Sequence, residues 1–314
     1  MLATLIKKTG SSYRKEGAMM FIAPSGETIG ALSGGCLEKD IVHQAHRLSF
    51  SDSSTVIEYD STADDYTDPS NNTGCSGKIQ ILLVSVTEAV YQQLLKAQLE
   101  LEAGQHCIIQ QCINHQQPAT TNTKPLLSVI KPSSTASNIS HSIESASDGE
   151  YSVSTIAPRP RLMVIGAGHD AIPICSVAAS LGWYVYLWDE RIHTSHYSEY
   201  QGAAVVDNHK SDKQKNYSLL AGFNAVILKS HNLSIDAFWL SQIEQYQQQI
   251  AYIGLLGPKY RKGKVIEAAE LQHAGWAQER IFSPAGLEIG GDTAEAIALS
   301  ILSQVQRCFT NVYF

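Results

Sequence analysis

The stretch that most restricts the fold runs from Arg161 to Asp189. Arg161-Leu-Met-Val-Ile165 is an unbroken apolar run, the mark of a strand covered on both faces of a parallel sheet. Gly166-Ala-Gly-His-Asp-Ala171 follows and matches Gly-x-Gly-x-x-Gly/Ala, with alanine in the third place. A helical pattern through Leu181 and a second apolar strand, Tyr184 to Trp188, lead to Asp189. That acid falls about twenty positions beyond the glycines, where a ribose-binding carboxylate is expected. Strand, glycine turn, helix, strand and acid in this order predict a Rossmann-like unit. In such a unit Gly166 and Gly168 let a diphosphate approach the unpaired N–H groups of the helix start. The same geometry also serves as a plain scaffold, so both readings of the turn stand.

The alternation continues with strands at Ala203 to Val206, Phe223 to Leu228 and Ala251 to Leu256, and a helix from Ile235 to Gln249. Residues 159–314 therefore read as a doubly wound parallel-sheet domain. Ligands of such sheets bind outside the carboxyl ends of the strands, where His169, Asp189, His231 and the Gly257-to-Arg261 loop are all placed. His231 at that edge is a general acid/base, a metal ligand or a cofactor contact, or only a polar strand end. Lys259, Arg261 and Lys262 either clamp phosphate or are a solvated helix start. Asp292 and Glu295 form a capping-box pattern before a final helix, Ala294 to Val305.

Residues 1–113 read as a small α/β domain. Strands at Leu2 to Lys8 and Ala18 to Ala23 flank a polar loop, Thr9 to Gly17, whose Arg14 and Lys15 are placed to hold an anion or are simply solvated. A strand from Glu27 to Leu32 ends in Ser33-Gly34-Gly35-Cys36, after which Leu37, Ile41, Ala45 and Leu48 recur at helical spacing. This pattern predicts Cys36 in the first turn of a helix, where unpaired N–H groups and the macrodipole favour a thiolate. Gly34 and Gly35 allow close approach of a ligand. Such a sulfur suits a metal, a sulfur atom or an anionic cofactor; the plain alternative is a small buried cysteine beside a turn. Further on, Gly74-Cys75-Ser76-Gly77 precedes a strand, Lys78 to Ser85, and makes Cys75 a candidate to share a pocket with Cys36. A helix spans Glu88 to Glu102 and a short strand Cys107 to Cys112. From Asn114 the apolar pattern fails, and residues 114–158, with serine dense from Asn138 to Ser154, read as a polar linker.

Composition removes several function classes. A net charge of −7 without any Lys/Arg run speaks against a nucleic-acid surface. No apolar run has the length of a membrane span, and the N-terminus lacks the charge order of a signal peptide. The six cysteines form no Cys-x-x-Cys and no disulfide framework. A cytoplasmic protein with reduced thiols is expected.

Taken together, the motifs resemble the XdhC/CoxI family, the xanthine dehydrogenase accessory factors. The resemblance is carried by Thr9-Gly-Ser-Ser-x-Arg14-x-x-Gly17, Ser33-Gly-Gly-Cys36-Leu-Glu38 and Gly74-Cys75-x-Gly77 in the first half. In the second it is carried by Gly166-Ala-Gly-His169, Asp189-Glu-Arg191, Ser230-His231, Tyr252-Ile-Gly-Leu-Leu-Gly257 and Pro284-Ala-Gly-Leu-Glu-Ile-Gly290. It implies a homodimer without turnover of its own. Such a protein binds molybdenum cofactor (molybdopterin), protects it during sulfuration and delivers it to a xanthine dehydrogenase-type molybdenum hydroxylase. In the family the cysteine of the Gly-Gly-Cys motif is tied to cofactor binding, which maps onto Cys36 as a molybdenum contact, with Glu38, Arg14 and Cys75 around it. Members usually carry a helix before the first strand, whereas this sequence starts at the strand, so either that helix is missing or the start site is displaced; an apolar face left exposed there would perturb dimerisation or solubility. Two other readings use the same residues. One is an NAD(P)-dependent oxidoreductase built on Gly166, Gly168 and Asp189 with His231 as acid/base. The other is a sulfur-transfer enzyme with a persulfide on Cys36, charged by a cysteine desulfurase.

Overall fold

A computed structural model describes residues 1–48, 54–60, 77–115, 125–132, 140–209 and 219–313. The chain divides into two units, Met1–Pro158 and Arg159–Phe314.

In the first unit, β1 (Leu2–Gly10) is the centre of a five-stranded antiparallel sheet. On one side lie β2 (Met19–Ile22) and β3 (Thr28–Gly30), and on the other β5 (Gly77–Val84) and β4 (Ser54–Asp60). Successive side chains of β1 and β5 face opposite ways, so both strands feed two cores. Ala3, Leu5, Ile81 and Leu83 pack with Ile41 and Ala45 of α1 (Glu38–Leu48). Leu2, Ile6, Leu82 and Val84 pack with Val90 and Ala97 of α2 (Glu88–Glu102) and with a second sheet. Burial on both faces explains why β5, which alternates at its start, becomes continuously apolar.

The second sheet corrects the linker expectation. Its strands are β6 (Cys107–His115), β7 (Leu127–Ile130), β8 (His141–Ala146) and β9 (Gly149–Ile156), in the order β7-β6-β9-β8. The serine-rich stretch is thus a hairpin. Its inner strand β9 carries hydroxyl residues at buried positions, where an apolar run would have marked a strand. Ser152 and Ser154 are buried beside Tyr151, and Thr4 Oγ1 donates to the buried Gln111 Oε1 (3.0 Å) across the two sheets. His141 anchors the hairpin: Nε2 lies 2.9 Å from the Ile6 carbonyl and Nδ1 2.9 Å from Ser154 Oγ. The carbonyl can only accept, so Nε2 carries the proton.

In the second unit, β10 (Arg161–Ile165), β11 (Tyr184–Trp188), β12 (Val205–Asp207), β13 (Ala225–Leu228), β14 (Tyr252–Leu255) and β15 (Ile281–Phe282) form a six-stranded parallel sheet. The order is β12-β11-β10-β13-β14-β15, the doubly wound arrangement of a Rossmann fold, with its switch point between β10 and β13. One face packs on α4 (Leu233–Ile243), α5 (Lys259–Ala268) and α6 (Gly275–Arg280). Against each other pack α3 (Ala171–Ser180) and α7 (Ala294–Tyr313), with Trp183 edge-on to Phe309. The last helix is capped one residue later than its acidic pattern suggests: the Thr293 hydroxyl accepts from the Ala296 N–H (3.2 Å), so Asp292 lies outside the cap. No helix among the described residues is long and apolar enough to cross a membrane.

Candidate functional site

Two glycine turns carry the candidate residues, one in each unit. In the first unit the chain leaves β3 through Leu32 to Leu37 before α1 begins at Glu38. Cys36 therefore stands just ahead of the helix and not in its first turn. The reason is Glu38, whose carboxylate folds back over the turn. It accepts from the N–H groups of Leu32 (3.2 Å) and Ser33 (2.7 Å) and from the Ser33 hydroxyl. Ser33 Oγ in turn accepts from the Leu37 N–H at 3.1 Å, so the residues around the helix start are already provided for. Glu38, expected as a cofactor residue, thus holds the loop that presents the cysteine.

Burial pushes the Glu38 carboxyl upward. The hydrogen bonds from Ser33 and Leu32 outweigh it and hold the group below the usual carboxylate range. A group lowered on folding adds stability that is present above its unfolded pKa and is lost as pH falls through the folded one. Glu38→Gln is expected to cost about 1–2 kcal/mol at neutral pH, the lower part of the range for hydrogen bonds to a half-exposed charge. The gap between variant and wild type should close in acid, as thermal unfolding across a pH series would record.

Cys36 is exposed, whereas Cys107, Cys112 and Cys175 are buried. Burial pushes the Cys112 thiol up to about 11 and that of Cys175 to about 12, which leaves them protonated packing groups. Gly34 faces the Tyr13 ring, since a β-carbon there would lie 3.7 Å from Tyr13 Cδ2. Gly35, at φ +103°, has open space where its side chain would be. The loop carrying Tyr13 and the exposed Arg14 therefore flanks the cysteine turn. Gly77, at the start of β5, pairs with Gly10 and packs on the backbone of Thr9 and Ser11. Cys75 itself lies outside the described residues. Among those described, no group of three or more His, Cys, Asp or Glu side chains is arranged to hold a metal ion.

In the second unit the expected residues gather at the switch point, but their roles differ from the expectation. Asp189 is buried, and both its oxygens are engaged. Oδ1 accepts from Arg191 N (3.0 Å) and Nε (2.9 Å), and Oδ2 from Arg191 Nη2 (2.8 Å) and Ala167 N (2.9 Å). Burial raises its pKa, but these donors prevail and lower it. Gly166, at φ +113°, is glycine because a β-carbon would meet the Lys229 carbonyl oxygen at 2.5 Å. At Gly168 it would meet Asp170 Oδ1 at 2.7 Å. Lys229, fully buried, donates to Gly166 O (3.2 Å) and pairs with Asp170 (2.7 Å). His231 is exposed, in a left-handed conformation at φ 57°, with Nε2 3.9 Å from Asp170 Oδ2. His169 is exposed at the rim.

Two of the three basic residues after β14 are also committed, while Lys259 is exposed. Arg261 pairs with the buried Asp236 (2.6 Å), and Lys262 donates to the carbonyls of Gln278 (2.6 Å) and Ile281 (2.9 Å). Sequence reasoning passed over Asp170, Lys229 and Asp236. A lysine directly after a buried parallel strand was the available signal for Lys229, because such a position has no water to solvate it.

Residues 162–305 match the family described as the XdhC Rossmann domain, and residues 1–60 match the XdhC and CoxI family. The chain belongs to the XdhC and CoxI family. Over 97% of its length this family member is 27% identical to a probable xanthine dehydrogenase subunit from Bacillus subtilis (strain 168), covering 92% of that protein. It is 24% identical to the molybdenum cofactor insertion chaperone PaoD of Escherichia coli (strain K12), over 97% of this chain and 82% of that one. A crystal structure described as a xanthine dehydrogenase from Bacillus halodurans superposes with a TM-score of 0.77 at 26% identity, covering 99% of this chain and 91% of that one.

Proposed function

We propose that this family member is an accessory factor that receives molybdenum cofactor at the Ser33–Leu37 turn and delivers it, sulfurated, to a xanthine dehydrogenase-type molybdenum hydroxylase. The observation that carries the reading is the Cys36 thiol, exposed on a Gly-Gly turn whose backbone Glu38 already holds. The names of two relatives, a molybdenum cofactor insertion chaperone and a probable xanthine dehydrogenase subunit, point the same way.

The donor set suits the cargo. Molybdenum in this cofactor is already held by the pterin's own sulfurs, so one soft protein ligand is enough to dock it. Cys36 supplies that ligand. Gly34 and Gly35 keep side chains out of the approach, and Gly35 opens onto free space. Tyr13 offers a flat ring beside Gly34 for a flat pterin, and the exposed Arg14 a cation for its phosphate. Exposure favours hand-over, since an exposed contact can be taken by a partner without unfolding the turn. The same reading carries a cytoplasmic homodimer, with a cysteine desulfurase as the source of the cofactor's sulfur.

The test is an anaerobic titration of wild type and Cys36→Ala with released molybdenum cofactor. Wild type is expected to bind saturably, and the variant to bind at least about tenfold more weakly, the loss of one good ligand contact. Equal affinities would remove Cys36 from the site, and no binding by either protein would remove the cargo.

A further inference from the structure

The glycine turn of the second unit matches the sequence pattern for a dinucleotide, yet the space such a ligand needs is filled by the chain. We propose that the Asp170 carboxylate is the resident anion of this turn, an internal ligand in the place of a dinucleotide's diphosphate, and that the unit therefore takes neither NAD(H) nor NADP(H). The inference rests on the second unit alone and is independent of the cargo proposed for Cys36.

On doubly wound folds the diphosphate lies against the N-terminus of the first helix, over the second glycine of the turn. Here Asp170 is the residue before α3, and its side chain makes no capping bond to that helix. Its Oδ1 instead occupies the space over Gly168, 2.7 Å from where a β-carbon would be. Lys229 Nζ, 3.5 Å from the same point, neutralises it from below. A carboxylate, a buried ammonium and a helix start make the arrangement that a phosphate would otherwise complete. An entering diphosphate would have to displace Asp170 and then lie beside its charge.

The ribose position is closed in the same way. Asp189 has no oxygen free of Arg191 or the Ala167 N–H. Arg191 Nη2 also donates to the Ser230 carbonyl (2.8 Å), which ties the exit of β11 to that of β13 across the end of β10. Tyr200 donates its hydroxyl to the Ala167 carbonyl and pins the turn from the other side. Lys229 and Arg191 are thus each matched by a carboxylate of the chain.

The full-length protein decides the matter. Calorimetric titration of wild type with NADH, NADPH and ADP-ribose is expected to give no saturable binding up to about 1 mM, the weak end of specific affinity. Asp170→Asn keeps the shape of the side chain and removes its charge, leaving Lys229 unneutralised. Inorganic pyrophosphate should then raise the unfolding temperature of Asp170→Asn in a concentration-dependent way, with an affinity at least about tenfold above wild type. Adding Lys229→Met to that variant should abolish the gain. Saturable NADH, NADPH or ADP-ribose binding by wild type would overturn the inference, as would a folded Asp170→Asn protein with no gained pyrophosphate affinity. Should Asp170→Asn fail to fold, the wild-type titrations still decide it.

Discussion

Asp236→Ala is expected to destabilise the second unit by about 3–5 kcal/mol, the cost of leaving one partner of a buried ion pair uncompensated. Asp236 is completely buried near the start of α4 and joins three segments. Its Oδ2 takes the Arg261 guanidinium (2.6 Å) from α5, while Oδ1 takes the Ser230 hydroxyl (2.6 Å) and N–H (3.1 Å) from the exit of β13. Alanine leaves the Ser230 N–H and the Arg261 guanidinium without this acceptor, while the Ser230 hydroxyl keeps the Asn232 carbonyl (3.0 Å). Asp236→Asn keeps an oxygen for Ser230 but sets an NH2 donor against Arg261 in place of a charged acceptor, so it should fall between alanine and wild type. Asp236→Leu combined with Arg261→Met should recover much of the loss, because apolar replacement of both partners removes the desolvation cost together with the attraction. Thermal and urea unfolding of the series would check the order. An Asp236→Ala protein as stable as wild type would show that Ser230 and Arg261 find other partners.

Gly166→Ala is expected to cost about 3 kcal/mol in stability, by adding a side chain at positive φ into a space that backbone occupies. The new methyl would sit 2.5 Å from the Lys229 carbonyl oxygen, 2.7 Å from its carbon and 2.7 Å from Ser230 Cα. None of these can swing aside without moving the end of β13. Gly182→Ala is the matched control, because Gly182 in the same unit is also at positive φ (+81°) but has nothing within 4 Å of where a β-carbon would be. The first variant should therefore lose clearly more stability than the second, again by thermal unfolding. A Gly166→Ala protein as stable as wild type would show that the end of β13 yields to the added methyl.

These variants mark how far the residues can be read before the fold is known. The β-α-β order and Asp189 at the end of β11 were legible from apolar runs and glycine positions, because strand burial and turn geometry are local constraints. The Gly-Gly-Cys turn before a helix was legible for the same reason, though not the exposure of Cys36 or its place ahead of the first helical turn. The work assigned to the surrounding groups was not. Glu38 was placed among the cofactor residues by the family resemblance; its carboxylate accepts from Leu32 and Ser33, a fold-back that no periodicity records. The serine-rich hairpin was hidden because its inner strand buries hydroxyl residues, and the contacts that anchor it, His141 to Ser154 Oγ and to the Ile6 carbonyl, form only in the folded unit.

What the sequence by itself determined is the doubly wound second half and the chemistry available at each turn: a thiol on two glycines, an acid after β11, a histidine after β13. Only the tertiary structure decided which of these groups remain free for a ligand. Charge and hydrogen-bond demand are satisfied by distance in space, and the pairs that satisfy them here, Lys229 with Asp170 and Arg261 with Asp236, are far apart along the chain. Burial obliges each such group to find a partner. The chain provides those partners at its dinucleotide-like turn and leaves Cys36 exposed at the other.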